Sequence, residues 1–182
     1  MVCHFSILVW QPQLWKEMKI NEEGLAIIKH YEGCSNTVYR CPAGIPTIGF
    51  GSCYDLSGNP ITMDHRDITD EEATAYLVRG VQTTENSVAR LVRVAVTENQ
   101  FSSLVSFVYN VGSGNFQRST MRMQINRGSF VDASNEFWKW RRAGGRILAG
   151  LVRRRAAEAS LFKTPDALQD VLENWLDTYA RD

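Results

Sequence analysis

The N-terminus of the chain lacks an apolar run long enough to cross a bilayer. Its apolar stretch, from Phe5 to Trp10, is far shorter than the ~20 residues that a transmembrane helix needs. No basic segment precedes this stretch and no small-residue cleavage site follows it, so it does not resemble a secretory signal. We therefore expect neither a signal peptide nor a transmembrane segment.

The first residues are not assigned to the folded body. Met18 begins a sequence, MKINEEGL, that is typical of a natural start, so residues 1–17 are predicted to be an N-terminal extension without an assigned function. Of the 182 residues, 44% are apolar and 22% are charged, which is ordinary globular usage. The chain is long enough for one domain with a hydrophobic core, and we expect a single catalytic body.

Cysteine is scarce. The four cysteines, Cys3, Cys34, Cys41 and Cys53, are too few for a disulfide scaffold at this length and form no C-x-x-C pair. His30 lies four residues before Cys34, but these spacings match no structural zinc site. We therefore expect no metal and no cofactor.

Several catalytic motifs are missing as well. The sequence contains no G-x-S-x-G elbow, P-loop, dinucleotide fingerprint or H-E-x-x-H pair. The three histidines are too scattered to suggest a catalytic triad, and His30 is predicted to be structural. These absences argue against serine hydrolases, nucleotide-binding enzymes and zinc proteases.

A formal net charge of zero hides a strong asymmetry along the chain. Residues 118–155 contain ten Lys and Arg against two acidic residues, whereas residues 17–110 contain seven basic and twelve acidic residues. The basic part can contact a polyanion such as a cell-wall polymer or an anionic membrane. Alternatively, Trp138, Ile147 and Leu151 pack in the core while the arginines face water, and both can hold at once. DNA binding is disfavoured because no nucleic-acid motif accompanies the charge.

Helical signals dominate most of the chain. Asn21 can cap a first helix that ends near Gly33, and Thr69 and Thr97 each begin a capping box. The segment VGSGNF, residues 111–116, is predicted to be a turn. Further helices are predicted over residues 120–127, 129–142 and 150–162. A last amphipathic helix, over residues 164–182, is expected to pack on the body or on a partner.

One region favours strands. Residues 37–60 are rich in glycine and proline with β-branched and aromatic residues between them, which predicts short strands joined by turns. A helix, a small antiparallel sheet and a larger helical lobe make an α+β fold. We expect the ligand site in the cleft between the two lobes.

Glu32 stands at the end of the first helix, beside this strand region. Hydrolysis of a glycosidic bond needs a carboxylic acid that protonates the leaving oxygen and a polar group that orients the attacking water. Partial burial next to Tyr31 would favour the protonated form of Glu32. A single glutamate at a helix end is usually only a solvated surface group, so its surroundings decide.

Glu32 is followed by Cys41 after eight residues and by Thr47 after five more, in the run YEGCSNTVYRCPAGIPTIGFG. This pattern resembles the Glu-(eight)-Asp/Cys-(five)-Thr triad of the phage lysozymes of glycoside hydrolase family 24, the group of T-even phage lysozyme-like enzymes. The segments SFVYNVGSGNF, STMRMQINRG and WRRAGGRILAGLVRRRAAE are also similar to that family. The resemblance covers residues 18–162 and implies a lysozyme-like fold, with residues 18–163 as the catalytic domain.

The resemblance implies roles for these residues. Glu32 would be the general acid, Cys41 the base or water-orienting residue, and Thr47 a second holder of the water. On a strand, alternation would leave Thr47 facing the cleft and put Ile48 and Phe50 on the core side. We also predict four residues that bind the substrate: Tyr39, Phe50, Asn110 and Arg142.

Two positions depart from the commonest family pattern. Cys41 replaces an aspartate, and a thiol near an acid is expected to stay mostly protonated at neutral pH. We favour an inverting hydrolysis, with a covalent route through the thiol left open. Ser52 stands where relatives often have histidine. In some membrane-tethered relatives a disulfide to the catalytic cysteine blocks activity, which suggests a Cys34–Cys41 pair here, although free thiols are favoured in a cytoplasmic chain.

The implied function is an endolysin, a muramidase that cleaves the β-1,4 bond between N-acetylmuramic acid and N-acetylglucosamine in peptidoglycan. The alternatives are a lytic transglycosylase and a non-enzymatic cationic cell-wall-binding protein. We expect a monomer, made in the bacterial host cytoplasm and delivered to the wall through a holin-type pore. The basic segment from Arg141 to Arg155 is the predicted contact with anionic envelope groups.

Overall fold

The computed structural model describes residues 17–41 and 43–165. The predicted extension, except Glu17, and nearly all of the predicted last helix lie outside these residues. Helix α1 spans Glu22–Glu32. It begins where the Asn21 side chain accepts a hydrogen bond from the Gly24 amide, and it ends at Gly33, whose positive φ of 71° favours glycine. Both predicted ends of this helix are confirmed.

The small sheet follows directly. Strands β1 (Ser35–Arg40) and β2 (Pro46–Gly49) pair antiparallel, with Tyr39 opposite Thr47 and an irregularity between Ser35 and Tyr39. Ile48 is fully buried beneath this hairpin. The predicted strand region is therefore confirmed. Thr47 is eight residues from Tyr39 in the sequence, but the two residues lie directly opposite each other in the antiparallel pair.

Two long helices form the centre of the molecule. Helix α2 spans Asp70–Leu91 and helix α3 spans Glu98–Val111. Both predicted capping boxes are present, at Thr69 with Glu72 and at Thr97 with Gln100. Apolar residues at helical spacing on these helices, among them Leu77, Val81, Leu104 and Val108, are buried.

The C-terminal half differs from the prediction in three places. Residues 111–116 do not form a plain turn, because a short helix, α4, spans Ser113–Gln117. Helix α5 spans Thr120–Asn126. The helix predicted over 129–142 is shorter: α6 spans Phe130–Glu136, and a 3₁₀ turn follows at Phe137–Trp140. A small hairpin of β3 (Arg142–Ala143) and β4 (Arg146–Ile147) was not predicted, and α7 spans Ala149–Lys163.

Two apolar cores lie on either side of the molecule. The smaller core packs Ile48 under the sheet against Ala73 and Tyr76, at the beginning of α2. The larger core surrounds α3, where the ring of Phe107 contacts those of Phe116, Phe137 and Trp140 edge to face. Phe50 touches both cores. The predicted α+β fold, with a small antiparallel lobe and a larger helical lobe, is confirmed.

Gly24 marks a close approach between α1 and α3. A Cβ at this position would lie 2.9 Å from the Cβ of Ser102 and 2.7 Å from the Cγ1 of Ile20. We expect Gly24→Ala to lower the free energy of unfolding by about 1–3 kcal/mol, because one of these neighbours must move. Thermal or urea denaturation followed by circular dichroism measures the change.

Gly80, inside α2, provides the matched control, since a Cβ there would meet no atom within 4 Å. Gly80→Ala is expected to raise the free energy of unfolding by about 1 kcal/mol through helix propensity alone. Equal effects of the two substitutions would contradict the close packing of α1 on α3.

Candidate active site

Glu32 is the last residue of α1, and its side chain is 27% exposed. One carboxylate oxygen, Oε1, lies 2.6 Å from Nη1 of Arg154 on α7. Among the described residues, no protein group donates a hydrogen bond to the other oxygen, Oε2. The carboxyl group is thus held on one side and open on the other. This arrangement orients Glu32 while leaving one oxygen for a ligand.

Arg154 belongs to a buried polar cluster, the Arg154–Glu158 cluster, which comprises Arg154, Arg155 and Glu158 of α7 together with Ser106 of α3. The Nε atom of Arg154 lies 3.1 Å from Oε1 of Glu158, and its Nη2 atom donates to the Ser106 carbonyl at 3.3 Å. Ser106 Oγ donates to the same Glu158 oxygen at 2.9 Å. Burial raises the pKa of Glu158, while the two arginines, Ser106 and their hydrogen bonds oppose that shift.

Arg155 extends the cluster to a second predicted site residue. Its Nη2 atom donates to Oδ1 of Asn110 at 2.7 Å, and its guanidinium lies over the Phe107 ring, 4.9 Å from the ring centre. Burial lowers the pKa of Arg155 to about 10, against an opposing effect of Glu158. Because Asn110 accepts through Oδ1, its amide nitrogen remains available as a donor at the exposed end of α3.

Strand alternation predicted that Thr47 faces an open cleft, but the residue is buried. Only 2% of this residue is exposed. Its hydroxyl donates to the Ile45 carbonyl at 2.9 Å and lies 3.8 Å from Sγ of Cys53. The prediction that Ile48 is on the core side is confirmed, so the hairpin is covered at both positions.

Cys41 lies at the end of β1, beside Thr47. The pKa of its thiol is lowered, first by hydrogen bonding to the backbone of Ile45 and then of Ala43, with a smaller effect of the Thr47 side chain. Such hydrogen bonds favour the thiolate. The shift is opposite in direction to the one expected from a neighbouring acid, because the turn after β1 directs backbone groups at the sulfur.

Two tyrosines connect the sheet side of the site to the helical side. The pKa of Tyr39 is raised by burial and then by the negative charges of Cys41, Cys53 and Glu32. Burial and the charge of Glu32 raise the pKa of Tyr109 to about 12. Glu32 and Cys41 are therefore both close enough to Tyr39 for their charges to affect it, and the three form one electrostatic neighbourhood. The side chain of Thr47 interacts with the thiol of Cys41.

A cavity of about 490 Å³ opens next to this neighbourhood. Its walls combine the turn after β2, the middle of α2 and the end of α3, and they include Cys53, Tyr54, Tyr76, Arg79 and Tyr109. Tyrosine rings and an arginine offer stacking faces and hydrogen-bond donors to a polar ligand such as a sugar. Tyr109, in the wall of this cavity, is also close enough to Glu32 to be affected by its charge.

The other predicted substrate-binding residues are placed differently. Phe50 packs on both cores, and its carbonyl accepts a hydrogen bond from Tyr109 at 3.4 Å. Arg142 donates to the Gly145 carbonyl at 3.0 Å, within the β3–β4 hairpin. Ser52, which replaces the usual histidine, pairs with Ile48 in an isolated bridge. None of these contacts links Phe50 or Arg142 to Glu32.

Sequence reasoning missed Arg154, Glu158 and Tyr109 as members of the site. Arg154 and Glu158 are four apart on one helix, which is the spacing of an intrahelical ion pair. That signal was available in the run RRRAAE, but the arginines were interpreted as solvent-facing. In the structure, the four-residue spacing of Arg154 and Glu158 forms part of a buried charged cluster on α7.

The basic segment from Arg141 to Arg155 therefore differs from its predicted form. Arg154 and Arg155 are buried, so they cannot contact an envelope polyanion. The alternative packing was also wrong for Trp138 and Ile147, which are 42% and 48% exposed. Phe137 and Trp140 pack in the core instead, because the 3₁₀ turn rotates the sequence relative to a regular helix.

Cys34, Cys41 and Cys53 are free thiols in the structure. Strand β1 separates Cys34 from Cys41 by six extended residues, which span roughly 20 Å. A disulfide needs Cα atoms about 4.4–6.8 Å apart. The Cys34–Cys41 pair that the family resemblance suggested and the β1 strand are therefore mutually exclusive, and the favoured expectation of free thiols agrees with the structure.

Within residues 17–41 and 43–165, no group of three or more histidine, cysteine, aspartate or glutamate side chains is arranged to hold a metal ion. None of the helices described there combines the length and apolar character required to cross a bilayer.

Comparison with known proteins supplies the context of this geometry. Residues 29–158 match the phage lysozyme family. The endolysin of Bacillus phage B103 is 38% identical over 155 residues, which cover 82% of this chain and 56% of that protein. The endolysin of Acyrthosiphon pisum secondary endosymbiont phage 1 is 36% identical over 151 residues, covering 81% of this chain and 99% of that protein.

The chain belongs to the phage lysozyme family. The crystal structure of a P22 lysozyme mutant shares its fold, with a TM-score of 0.74 and 32% identity over 81% of this chain and 99% of the other. The chain spans just over half the length of the B103 endolysin but almost the whole of the shorter relatives.

The contrasting thiol environments give a testable difference in reactivity. The pKa of Cys34 is raised, chiefly by partial burial and then by Asp70, whereas the pKa of Cys41 is lowered. Because the thiolate is the reactive form, we expect iodoacetamide to alkylate Cys41 several-fold faster than Cys34 near neutral pH. Peptide mass spectrometry over time measures both in one sample, with Cys34 as the internal control. Equal rates, or faster modification of Cys34, would contradict the effect of the backbone groups on Cys41.

Proposed function

We propose that this phage lysozyme is a cell-wall-lysing muramidase that hydrolyses the β-1,4 bond between N-acetylmuramic acid and N-acetylglucosamine, with Glu32 as its general acid. The supporting observation is the carboxyl group of Glu32, which is anchored through Oε1 by Arg154 while Oε2 has no protein donor among the described residues. A general acid must present its proton to the leaving oxygen in a fixed direction. The family relation supports the same activity and does not favour the transglycosylase alternative.

In this proposal Cys41 and Thr47 act on the water. Cys41 has a lowered pKa and follows β1 in the small sheet, whereas Glu32 ends α1. Its sulfur would accept a proton from water or orient it, while the buried Thr47 hydroxyl fixes the turn in which the thiol sits. We favour direct attack of water and inversion at the anomeric carbon.

We propose that the substrate strand lies along the cavity beside Tyr109 and Cys53. Tyr39 and the free amide nitrogen of Asn110 would contact the sugars near the cleaved bond. Among the predicted substrate-binding residues, Phe50 and Arg142 have the least structural support. Phe50 packs against the cores, and Arg142 donates a hydrogen bond within the β3–β4 hairpin.

The envelope contact is proposed for the exposed part of the basic segment only. Arg142, Arg146 and Arg153 are exposed, and Ile147 and Leu148 beside them are 48% and 43% exposed. Basic groups next to apolar side chains favour an anionic, partly apolar surface. Synthesis in the host cytoplasm, delivery through a holin-type pore and a monomeric state complete the proposal.

Glu32→Gln is the direct test of the proposed acid. The amide keeps the shape of the side chain but cannot donate a proton to the leaving oxygen, so we expect lysis to fall about 10²–10⁴-fold. Clearing of purified peptidoglycan, in solution and in a zymogram, measures the loss. New reducing ends in the wild-type digest indicate hydrolysis, whereas anhydro-sugars would indicate the transglycosylase.

Glu23→Gln is the matched control, because Glu23 lies on the same helix and is exposed. It should retain wild-type lysis. Full activity in Glu32→Gln would leave the cationic surface as the cause of lysis and would refute the proposed acid.

The thiol hypothesis has its own test. Since β1 holds Cys34 and Cys41 apart, we expect the reduced, folded protein to show the same activity with and without a thiol reductant. Cys34→Ser, which removes any possible Cys34–Cys41 pair, should behave identically. A marked gain in wild-type activity on reduction, absent from Cys34→Ser, would show a disulfide form in which β1 is broken.

A further inference from the structure

We propose that Glu158 is a positioning residue for the proposed reaction: it holds Arg154 so that Arg154 orients Glu32 without binding its carboxylate too strongly. This inference rests on the role of Glu32 as the general acid. Glu158 does not reach the cavity, because its side chain is 0% exposed. It would act entirely through Arg154.

The first argument is geometric. All three nitrogens of the Arg154 guanidinium have a partner: Nε binds Glu158 at 3.1 Å, Nη1 binds Glu32 at 2.6 Å and Nη2 binds the Ser106 carbonyl at 3.3 Å. A planar guanidinium fixed at Nε and Nη2 has only one direction left for Nη1. Glu158 and the α3 backbone thus determine where the carboxylate of Glu32 must lie.

Glu158 is itself held on more than one side. Ser106 Oγ donates to its Oε1 at 2.9 Å, Ser103 Oγ donates to its backbone carbonyl at 2.6 Å, and Nε of Arg155 lies 3.1 Å from its Oε2. The last contact is an ion pair without hydrogen-bond alignment. These contacts tie α7 to α3, so the position of Glu158 is set by the packing of the two helices.

The second argument concerns charge. The buried cluster and Glu32 together contain two guanidinium groups and two carboxyl groups. If Arg154 faced Glu32 alone, it would strongly favour the ionised carboxylate, which cannot act as an acid. Sharing Arg154 with Glu158 weakens that effect, and the negative charge of Glu158 adds repulsion. Loss of the Glu158 charge should therefore let Arg154 bind the Glu32 carboxylate more strongly.

Other charged and titratable groups also face Glu32 or its neighbours. A substitution of Glu158 leaves these groups unchanged, so their effect on Glu32 is the same in the variant and in the wild-type protein. These groups are His30 and Lys29 on α1, Tyr39 on β1, Cys41 just after β1, Cys53 in the turn after β2, Tyr109 on α3, and Arg155 on α7.

The test is the pH profile of peptidoglycan hydrolysis by Glu158→Gln, the full chain being used throughout. The alkaline limb of the profile is expected to move by about one pH unit toward lower pH, because Arg154 is then no longer shared between two carboxylates. At the wild-type optimum kcat should fall at least several-fold while KM is unchanged, because the variant alters the acid and not the sugar-binding surface.

Glu85→Gln is the matched control. Glu85 is also a buried carboxylate in an ion pair, 3.2 Å from Lys19, but it has no contact with the Arg154–Glu158 cluster. It should lose stability without moving the alkaline limb. A purely structural role for Glu158 would make the two variants alike, with less active protein and the same pH profile.

If Glu158→Gln does not fold, as the absence of a cooperative thermal transition would show, the same pH profile is measured for Glu158→Asp. The shorter side chain keeps the negative charge but withdraws it from Arg154, so the limb should move in the same direction by a smaller amount. An unshifted limb in the folded variant overturns the role of Glu158. If Glu32→Gln is fully active, the proposed function fails instead, and the two failures are therefore distinct.

Discussion

The contact between Arg154 and Glu158 is the constraint on which the rest of the site depends. Burying a charged group is costly unless a partner compensates it. Here α7 supplies both charges one helical turn apart, and α3 supplies the hydroxyl and carbonyl groups that complete their hydrogen bonds. Because both helices also carry the main apolar core, the orientation of the Glu32 carboxylate is linked to the stability of the larger lobe.

Much of the fold followed from local signals in the sequence. The cap at Asn21 and the boxes at Thr69 and Thr97 are short-range interactions, and each begins a helix where it was predicted. The signals failed where tertiary packing decides. Residues 137–140 turn from α-helix to 3₁₀ so that Phe137 and Trp140 reach the core, and the β3–β4 hairpin is too short to show a strand period.

The candidate site was predictable in part. The spacing of Glu32, Cys41 and Thr47 pointed to the segment in which the end of α1 is followed by the β1–β2 hairpin, and the structure has these elements there. It could not indicate which side chains are buried: only 2% of Thr47 is exposed, and its hydroxyl lies 2.9 Å from the Ile45 carbonyl and 3.8 Å from Cys53 Sγ. Nor could it show that Arg154 and Arg155 point inward, since an amphipathic arginine run has the same sequence whether its charges meet water or carboxylates.

Helix α2 belongs to both lobes. Ala73 and Tyr76 lie in the smaller core, whereas Leu77, Val81 and Val88 lie in the larger one. The cleft walls are therefore mounted on opposite halves of one rod of 22 residues, about 33 Å long. Any widening of the cleft must flex this helix or shear one core against it. Gly80, in the middle of α2 and in the cavity wall, has the lowest helix propensity of the residues in this helix, so we expect any such flexing to concentrate there.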